Sequence, residues 1–124
     1  MIQRYTFTKE FRLSSKTHIE SVFTTGQSLF QYPIVFKFLK VDSSHSKVQA
    51  LFTCPKRKFK KAVDRNLIRR RMKESFRLLW QSHLNDSMET HLHIMMIYSA
   101  NEILPYSVIN EGISKGLIQI KKMM

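Results

Sequence analysis

The sequence predicts a single α/β domain, a two-layer sandwich whose elements follow the order α, β, β, β, α, β, α. Apolar residues recur at helical three- and four-residue steps in three segments, and they alternate along residues 33–41 as in a strand. A strand, a long helix and another strand also follow one another, which implies a crossover connection. The length of 124 residues fits one domain, and 43% hydrophobic with 24% charged residues predicts a folded core. We expect one domain over residues 1–124, with a flexible basic N-terminal arm over residues 1–12.

The first predicted element is a short helix that begins near Ser14 and ends at Gly26. Thr17 and Glu20 have the spacing of a capping box, although Ser14 or Ser15 could cap the helix instead. Gly26 suits the left-handed position that often follows a helix.

Strands are predicted next. Residues 33–41 are rich in β-branched and aromatic side chains, and residues 48–54 form a second such run that Pro55 ends by removing a backbone donor. The polar tract 42–47 between them indicates a hairpin loop, so we expect the two strands to pair antiparallel. Residues 28–32 would add a brief edge strand.

The second half of the chain alternates helix and strand. The spacing of apolar residues predicts a helix from about residue 62 to residue 83, a strand over residues 92–98 and a last helix from residue 107 to about residue 123. The last helix is expected despite Gly112 and Gly116, which lower helix propensity.

The charge of the chain indicates a polyanionic partner. The formal net charge is +12 and the sequence pI is about 10.2, so nucleic acid is the leading partner and an anionic membrane the second. No apolar run approaches the roughly 20 residues that span a bilayer, and the N-terminus has no signal-peptide core. The single cysteine, Cys54, cannot form an internal disulfide. We expect a soluble cytoplasmic protein with no membrane partner.

Most of this charge lies in one segment, which carries eleven of the 21 basic residues and only two acids between Lys56 and Arg77. On a helical wheel one stripe is apolar and predicted to be buried: Ile68, Met72, Phe76 and Leu79. The adjacent stripe carries Asn66, Arg69, Arg70, Lys73 and Arg77. Five further cations precede the helix: Lys56, Arg57, Lys58, Lys60 and Lys61.

Arginine can bind phosphate oxygens with two parallel hydrogen bonds, and asparagine can donate and accept at a base edge, so the polar stripe favours nucleic-acid binding. A solvated face that binds nothing is the plain alternative, but the self-repulsion of so many cations costs stability unless a polyanion relieves it. A DNA-recognition helix remains open, although a strand, rather than the first helix of a helix-turn-helix, precedes this segment.

These residues closely resemble the signature of the bacterial ribonuclease P protein subunit. In that family a lysine-rich turn after a strand leads into an Arg-Asn-Arg-x-Lys-Arg-x-x-Arg-Glu helix. The matching positions are Lys56 and Arg57 in the turn, and Arg65, Asn66, Arg69, Arg70, Lys73 and Glu74 in the helix. A Val-Phe-x-x-Gly pattern that ends the family's first helix also appears, as Val22, Phe23 and Gly26.

The resemblance implies a fold and a function. The fold would be that of ribonuclease P proteins, which is like domain 2 of ribosomal protein S5, with a left-handed βαβ crossover. The protein would bind a catalytic RNA that removes the 5′ leader of precursor tRNA, with Mg²⁺ bound mainly by the RNA and none bound tightly by the protein. The chain would thus be a non-catalytic subunit of an endoribonuclease, with no obligate protein partner. A general structured-RNA or ribosome-associated binding protein is the alternative, and an independent protein nuclease is a distant third.

The resemblance also implies site residues. Contacts to the catalytic RNA would come from Lys56, Arg57, Lys60, Lys61, Arg65, Asn66, Arg69, Arg70, Lys73 and Arg77. A cleft for the precursor tRNA leader would be lined by Ile19, Phe23, Val35 and Lys37. Two positions depart from the family pattern: Leu67 replaces an arginine, which would shift a phosphate contact to Arg71, and Ile19 replaces an aromatic residue, leaving Phe23 as the main base-stacking candidate.

Other polar residues have structural explanations. His91 and His93 would point to one side of a partly exposed strand edge, since no third ligand stands at metal-binding spacing. Cys54 has no base assigned to it, and Asp64 and Glu74 are explained by local ion pairs. We predict no catalytic residue and no metal site in the protein. Three aromatic residues are expected in the core: Phe36, Phe38 and Phe52.

Overall fold

The computed structural model describes residues 11–42, 48–84 and 91–124. Over these residues the elements are α1 (Lys16–Thr25), β1 (Gln27–Gln31), β2 (Ile34–Val41), β3 (Val48–Thr53), α2 (Ala62–Leu84), β4 (His91–Tyr98) and α3 (Tyr106–Met123). Their order and type confirm the predicted αβββαβα fold. None of these helices is long and apolar enough to cross a membrane.

The strands form a sheet in the order β1-β2-β4-β3. β1 pairs antiparallel with β2, β2 pairs antiparallel with β4, and β3 pairs parallel with β4. The parallel pair with α2 between its strands is the crossover that the sequence predicts. The left-handedness implied by the resemblance stays a prediction.

The predicted hairpin pairing of β2 with β3 is wrong, because β4 lies between them. Residues 92–96 of β4 are all buried, so this strand is covered on both faces. A strand that is apolar on both faces buries more surface at the centre of a sheet than at its edge. The segment 43–47, predicted as the hairpin loop, lies outside the described residues.

Helices cover the two faces of the sheet unequally. α2 and α3 pack on one face and form the main core with the side chains of Ile34, Phe36, Phe38, Val48, Ala50, Leu92, Ile94, Met96 and Tyr98. α1 covers the other face through a smaller cluster in which Leu13, Val22 and Met95 are buried, with Ile19, Leu39 and Leu51 beside them. The predicted core positions of Phe36 and Phe38 are confirmed, and Phe52 is half-buried against the main core.

The ends of α1 correct two details of the sequence analysis. Ser15, one of the two alternatives, is the N-cap, since its hydroxyl accepts a hydrogen bond from the His18 amide at 3.4 Å. Gly26 is not left-handed but extended, with φ −71° and ψ 161°. Glycine is required there because a Cβ atom would overlap the Val22 carbonyl and lie 2.8 Å from the Phe38 carbonyl oxygen.

α3 keeps its helical course through Gly116 for a related reason. A Cβ atom at Gly116 would overlap the ring of Phe36, which is fully buried under the helix. The glycine therefore lets α3 approach the sheet closely, and this packing offsets its low helix propensity.

The N-terminal arm is packed where it is described. The ring of Phe11 lies 5.6 Å from that of Trp80, and the amide of Leu13 donates to the Ala50 carbonyl at 3.0 Å. Arg12 forms a parallel bridge with Ala50 on the outer edge of β3. Residues 11–12 of the arm thus contact α2 and β3, whereas residues 1–10 lie outside the described part of the chain, and the flexibility of the arm stays a prediction.

Candidate nucleic-acid interface

The basic turn between β3 and α2 is anchored by two consecutive residues, Lys58 and Phe59. Lys58 Nζ donates to the Ser99 carbonyl at 2.8 Å, and the buried ring of Phe59 lies 5.8 Å from that of Tyr98. The side chains that these anchors leave exposed are Lys56, Arg57, Lys60 and Lys61. The turn thus presents four cations from a backbone that the core holds in place.

Arg65 joins this turn to α2. Its Nη1 atom donates to the carbonyls of Phe59 and Lys60, at 2.7 and 2.9 Å, and the side chain is half-buried. This arrangement orients the turn relative to the helix. The contact of Arg65 with RNA stays a prediction, and the structure gives the residue a positioning role as well.

The apolar stripe of α2 lies where the sequence analysis places it. Ile68, Met72 and Phe76 are fully buried, and Leu79 is half-buried against the same core. The helix also buries three residues that the prediction omitted: Ser75, Trp80 and Leu84. The Ser75 hydroxyl donates a hydrogen bond to Asn110 Oδ1 of α3 at 2.7 Å.

The polar stripe of α2 borders a groove against the outer edge of β3. The groove has a volume of about 360 Å³ and is lined by Arg12, Ala50, Leu51, Phe52, Asn66, Arg69, Arg70 and Lys73. Asn66 Oδ1 accepts a hydrogen bond from Arg69 Nη2, which holds the two side chains together. The groove therefore has cationic walls and an apolar floor, a combination that suits phosphate and base together.

Sequence reasoning missed Arg12 and the β3 residues of this groove. The pairing that brings Arg12 beside Ala50 depends on tertiary contacts between segments far apart in the chain. The positive charge of the arm was the one available signal, and it did not show where the arm lies.

Besides Arg65, two arginines of α2 do not line the groove. Arg77 forms an ion pair with Glu74, in which the hydrogen bond lowers the pKa of the carboxylate and raises that of the guanidinium. This pair confirms the local explanation of Glu74. Arg71 Nη1 donates to the Leu104 carbonyl at 2.6 Å, which engages it with the segment before α3. The shift of a phosphate contact from the Leu67 position to Arg71 is not supported by this geometry.

Two of the four predicted leader-cleft residues meet directly on the α1 face. Lys37 Nζ lies 4.8 Å from the ring centroid of Phe23, a cation-π contact, and 57% of Phe23 is exposed. Val35 lies two residues from Lys37 on the same strand face and is half-buried. Ile19 is also half-buried, and it packs against the small cluster under α1.

Three histidines lie on the α1 face, and the expected exposed strand edge is wrong because β4 is central. His93 is 2% exposed, and its ring lies 4.9 Å from that of His18. Burial lowers the pKa of His93, and charge on His18 and His91 lowers it further. The described residues contain no group of three or more His, Cys, Asp or Glu side chains that could hold a metal ion.

Cys54 is buried at the end of the main core. Burial raises the pKa of its thiol, and the nearby cations Arg69, Arg65 and Lys58 offset this only in part. A thiol with a raised pKa is a poor nucleophile, which agrees with the structural explanation.

The family model for ribonuclease P matches residues 7–120. The chain is 27% identical over 118 residues to the ribonuclease P protein component of Porphyromonas gingivalis, covering 90% of this chain and 84% of that protein. It is 37% identical over 71 residues to the ribonuclease P protein component of an Exiguobacterium species, covering 57% of this chain and 60% of that one.

Solved structures share the fold. The RNase P protein of Thermotoga maritima matches with a TM-score of 0.69 at 19% identity, over 87% of this chain and 96% of that one. The Staphylococcus aureus protein matches with a TM-score of 0.67 at 17% identity, over 92% and 97%. The chain therefore belongs to the ribonuclease P protein family and takes part in tRNA processing as the protein component of the ribonuclease P holoenzyme.

Proposed function

We propose that the protein uses two surfaces for two RNAs. The α2 surface, defined as the groove together with the exposed cations of the basic turn, binds the catalytic RNA. The α1 surface, defined by Phe23, Val35 and Lys37, binds the single-stranded leader of precursor tRNA. Cleavage is assigned to Mg²⁺ bound by the catalytic RNA, and the protein acts in the cytoplasm without a membrane or an obligate protein partner.

The observation that carries the assignment of the α2 surface is the groove itself. Arg69, Arg70, Lys73 and Arg12 line it, and Arg69 is hydrogen-bonded to Asn66, so the Arg69 guanidinium is already oriented before RNA arrives. Cations held in place lose less conformational entropy on binding than free surface side chains do. Phosphates of a folded RNA that approach each other closely repel, and this surface would neutralise them.

The α1 surface supports leader binding by a different combination of groups. The exposed ring of Phe23 offers a face for stacking a base, and Lys37 beside it offers a cation for the adjoining phosphate. A single-stranded segment can present both groups, since its bases are not paired. Holding the leader here would raise the affinity of the holoenzyme for its substrate.

Reconstitution tests the proposal. The protein is mixed with its cognate catalytic RNA, and cleavage of precursor tRNA is followed as Mg²⁺ is lowered. We expect stimulation that is largest at low Mg²⁺, because the protein supplies positive charge that metal ions otherwise provide. Absence of stimulation at every Mg²⁺ concentration would show that the proposal is wrong.

A competition experiment separates this function from general RNA binding. Labelled catalytic RNA is bound to the protein and displaced by unlabelled catalytic RNA or by an unrelated folded RNA of equal length. We expect the cognate RNA to compete at much lower concentration. Equal competition would favour the general structured-RNA binding protein instead.

A further inference from the structure

We propose that Phe30 is a second base-stacking residue, which extends the leader site across the sheet to its β1 edge and contacts leader nucleotides far from the scissile bond. This inference rests on the proposed function of the α1 surface. It concerns a residue outside the four that the resemblance implies.

The sheet register places Phe30 at the end of a row on the α1 face. Phe30 pairs with Val35, Val35 pairs with Ile97, and Ile97 pairs with Thr53. Residues paired directly across strands share a face, and Val35 shares its face with Lys37, which contacts Phe23 of α1. With strands about 4.8 Å apart, the row runs roughly 14 Å across all four strands.

α1 leaves this row open. The helix packs over the neighbouring positions, where Leu39, Leu51 and Met95 contribute to the small cluster under it. In the row itself Val35, Ile97 and Thr53 are only half-buried. Within the described part of the chain, the sheet face therefore offers a partly exposed strip beside α1, bordered by Phe23 and Lys37.

Phe30 is the most exposed aromatic side chain of the described residues, at 58%, and Phe23 follows at 57%. The Tyr32 ring lies 6.5 Å from the Phe30 ring, edge to face, which supports it at the sheet edge. Together with Tyr32 and Phe23, Phe30 gives this side of the sheet three exposed aromatic rings, and clustered exposed apolar surface marks a site that a partner covers. A base can do so regardless of its identity, because every base has a π-face.

Charge favours RNA as the occupant of this strip. Lys37 contacts the Phe23 ring and pairs with Ser28, two residues along β1 from Phe30, and the chain carries a net charge of +12. A single-stranded RNA supplies aromatic faces and phosphates in alternation, which matches two exposed rings with a cation on the same face of the sheet.

The two ends of the row differ, and the difference sets the direction of the leader. At one end, Thr53 leads through Cys54 and Pro55 into the basic turn, which belongs to the surface assigned to the catalytic RNA. The scissile bond must lie near that RNA, because it carries the metal ions. Phe30, at the opposite end, therefore meets the leader nucleotides furthest from the bond.

The test measures holoenzyme affinity for precursor tRNAs with leaders of increasing length. Phe30→Ala is compared with Ile118→Ala, a control on α3 that removes an exposed apolar side chain elsewhere. We expect Phe30→Ala to lose affinity roughly 5- to 150-fold for long leaders, the range that one base stack supplies, and to match the unsubstituted protein for the shortest leaders. Phe30→Trp should retain or increase the affinity for long leaders.

A loss that is the same at every leader length, or no loss at any length, would overturn the proposal. A change in oligomeric mass by light scattering, with RNA affinity unchanged, would also overturn it and assign Phe30 to contact with a second copy of the chain. Phe23→Ala distinguishes the two levels of inference. If it weakens leader binding and Phe30→Ala does not, only the extension fails; if neither does, the leader site itself fails.

Discussion

The α2 surface and the α1 surface differ in how each holds its polar and aromatic groups. On α2, arginines are engaged in hydrogen bonds to Asn66 or to backbone carbonyls, and the helix rests on the larger of the two cores. On α1, a short helix rests on a cluster with three buried residues, and aromatic rings stay uncovered beside it. The first surface is prearranged for a rigid, folded RNA, whereas the second suits a flexible strand.

The largest effect should come from breaking the core under α2. Phe76→Ala removes a fully buried ring that contacts Phe52, so we expect the free energy of unfolding to fall by roughly 3–5 kcal/mol. Urea denaturation followed by circular dichroism measures it. Leu78→Ala, which truncates an exposed residue on the same helix, should change stability by less than about 0.5 kcal/mol. A similar loss for both variants would contradict the assignment of the buried stripe.

The charge on α2 should carry most of the salt dependence of RNA binding. In the double variant Arg69→Ala, Arg70→Ala, we expect weaker binding of the catalytic RNA. The slope of the logarithm of the binding constant against the logarithm of the salt concentration should flatten by about one unit per lost phosphate contact. Filter binding over a series of salt concentrations measures the slope. Lys121→Ala with Lys122→Ala removes the same charge from the exposed end of α3 and serves as control. An unchanged slope in the first variant would reassign the two arginines to structure.

Substitutions on the α1 surface should weaken binding of precursor tRNA and leave binding of the catalytic RNA unchanged. Phe23→Ala should weaken binding of precursor tRNA by about 1–3 kcal/mol, the value of one base stack, while affinity for the catalytic RNA alone stays the same. Phe23→Tyr retains the ring and should restore binding. Equal losses for both RNAs would mean that the two surfaces are not separate.

The smallest expected effect is a pH dependence of the α1 layer. Burial lowers the pKa of His93 below its ordinary value of 6.5, so the unfolded state binds more protons than the folded state as pH falls. The stability that neutral His93 contributes is complete above the unfolded pKa and is lost as pH falls from about 6.5 through the lower folded pKa. Thermal unfolding should therefore occur at lower temperature in mildly acidic buffer, and His93→Gln should reduce this difference. A midpoint independent of pH over that range would show that the prediction is wrong.

The element order and the polar stripe of α2 could be predicted because both depend on local spacing. Ile68, Met72 and Phe76 repeat at helical steps, and any helix with that pattern turns its cations to the other side. The neighbours of β2 could not be predicted in the same way. Alternation along β2 indicates its two faces, but the choice between β3 and β4 as partner depends on which strand buries more surface when the whole sheet forms.

The groove beside α2 and the row of residues that ends at Phe30 also could not be predicted from the sequence. Arg12 reaches the groove only because the N-terminal segment runs along the edge of β3, and Phe30 joins Phe23 only through the register of β1 on β2. The sequence by itself determined the helices and strands, the dense positive charge and the family resemblance, since these follow from residue type and short-range spacing. Only the tertiary structure decided which distant side chains share a surface, because that depends on strand order, register and the cover that each helix provides.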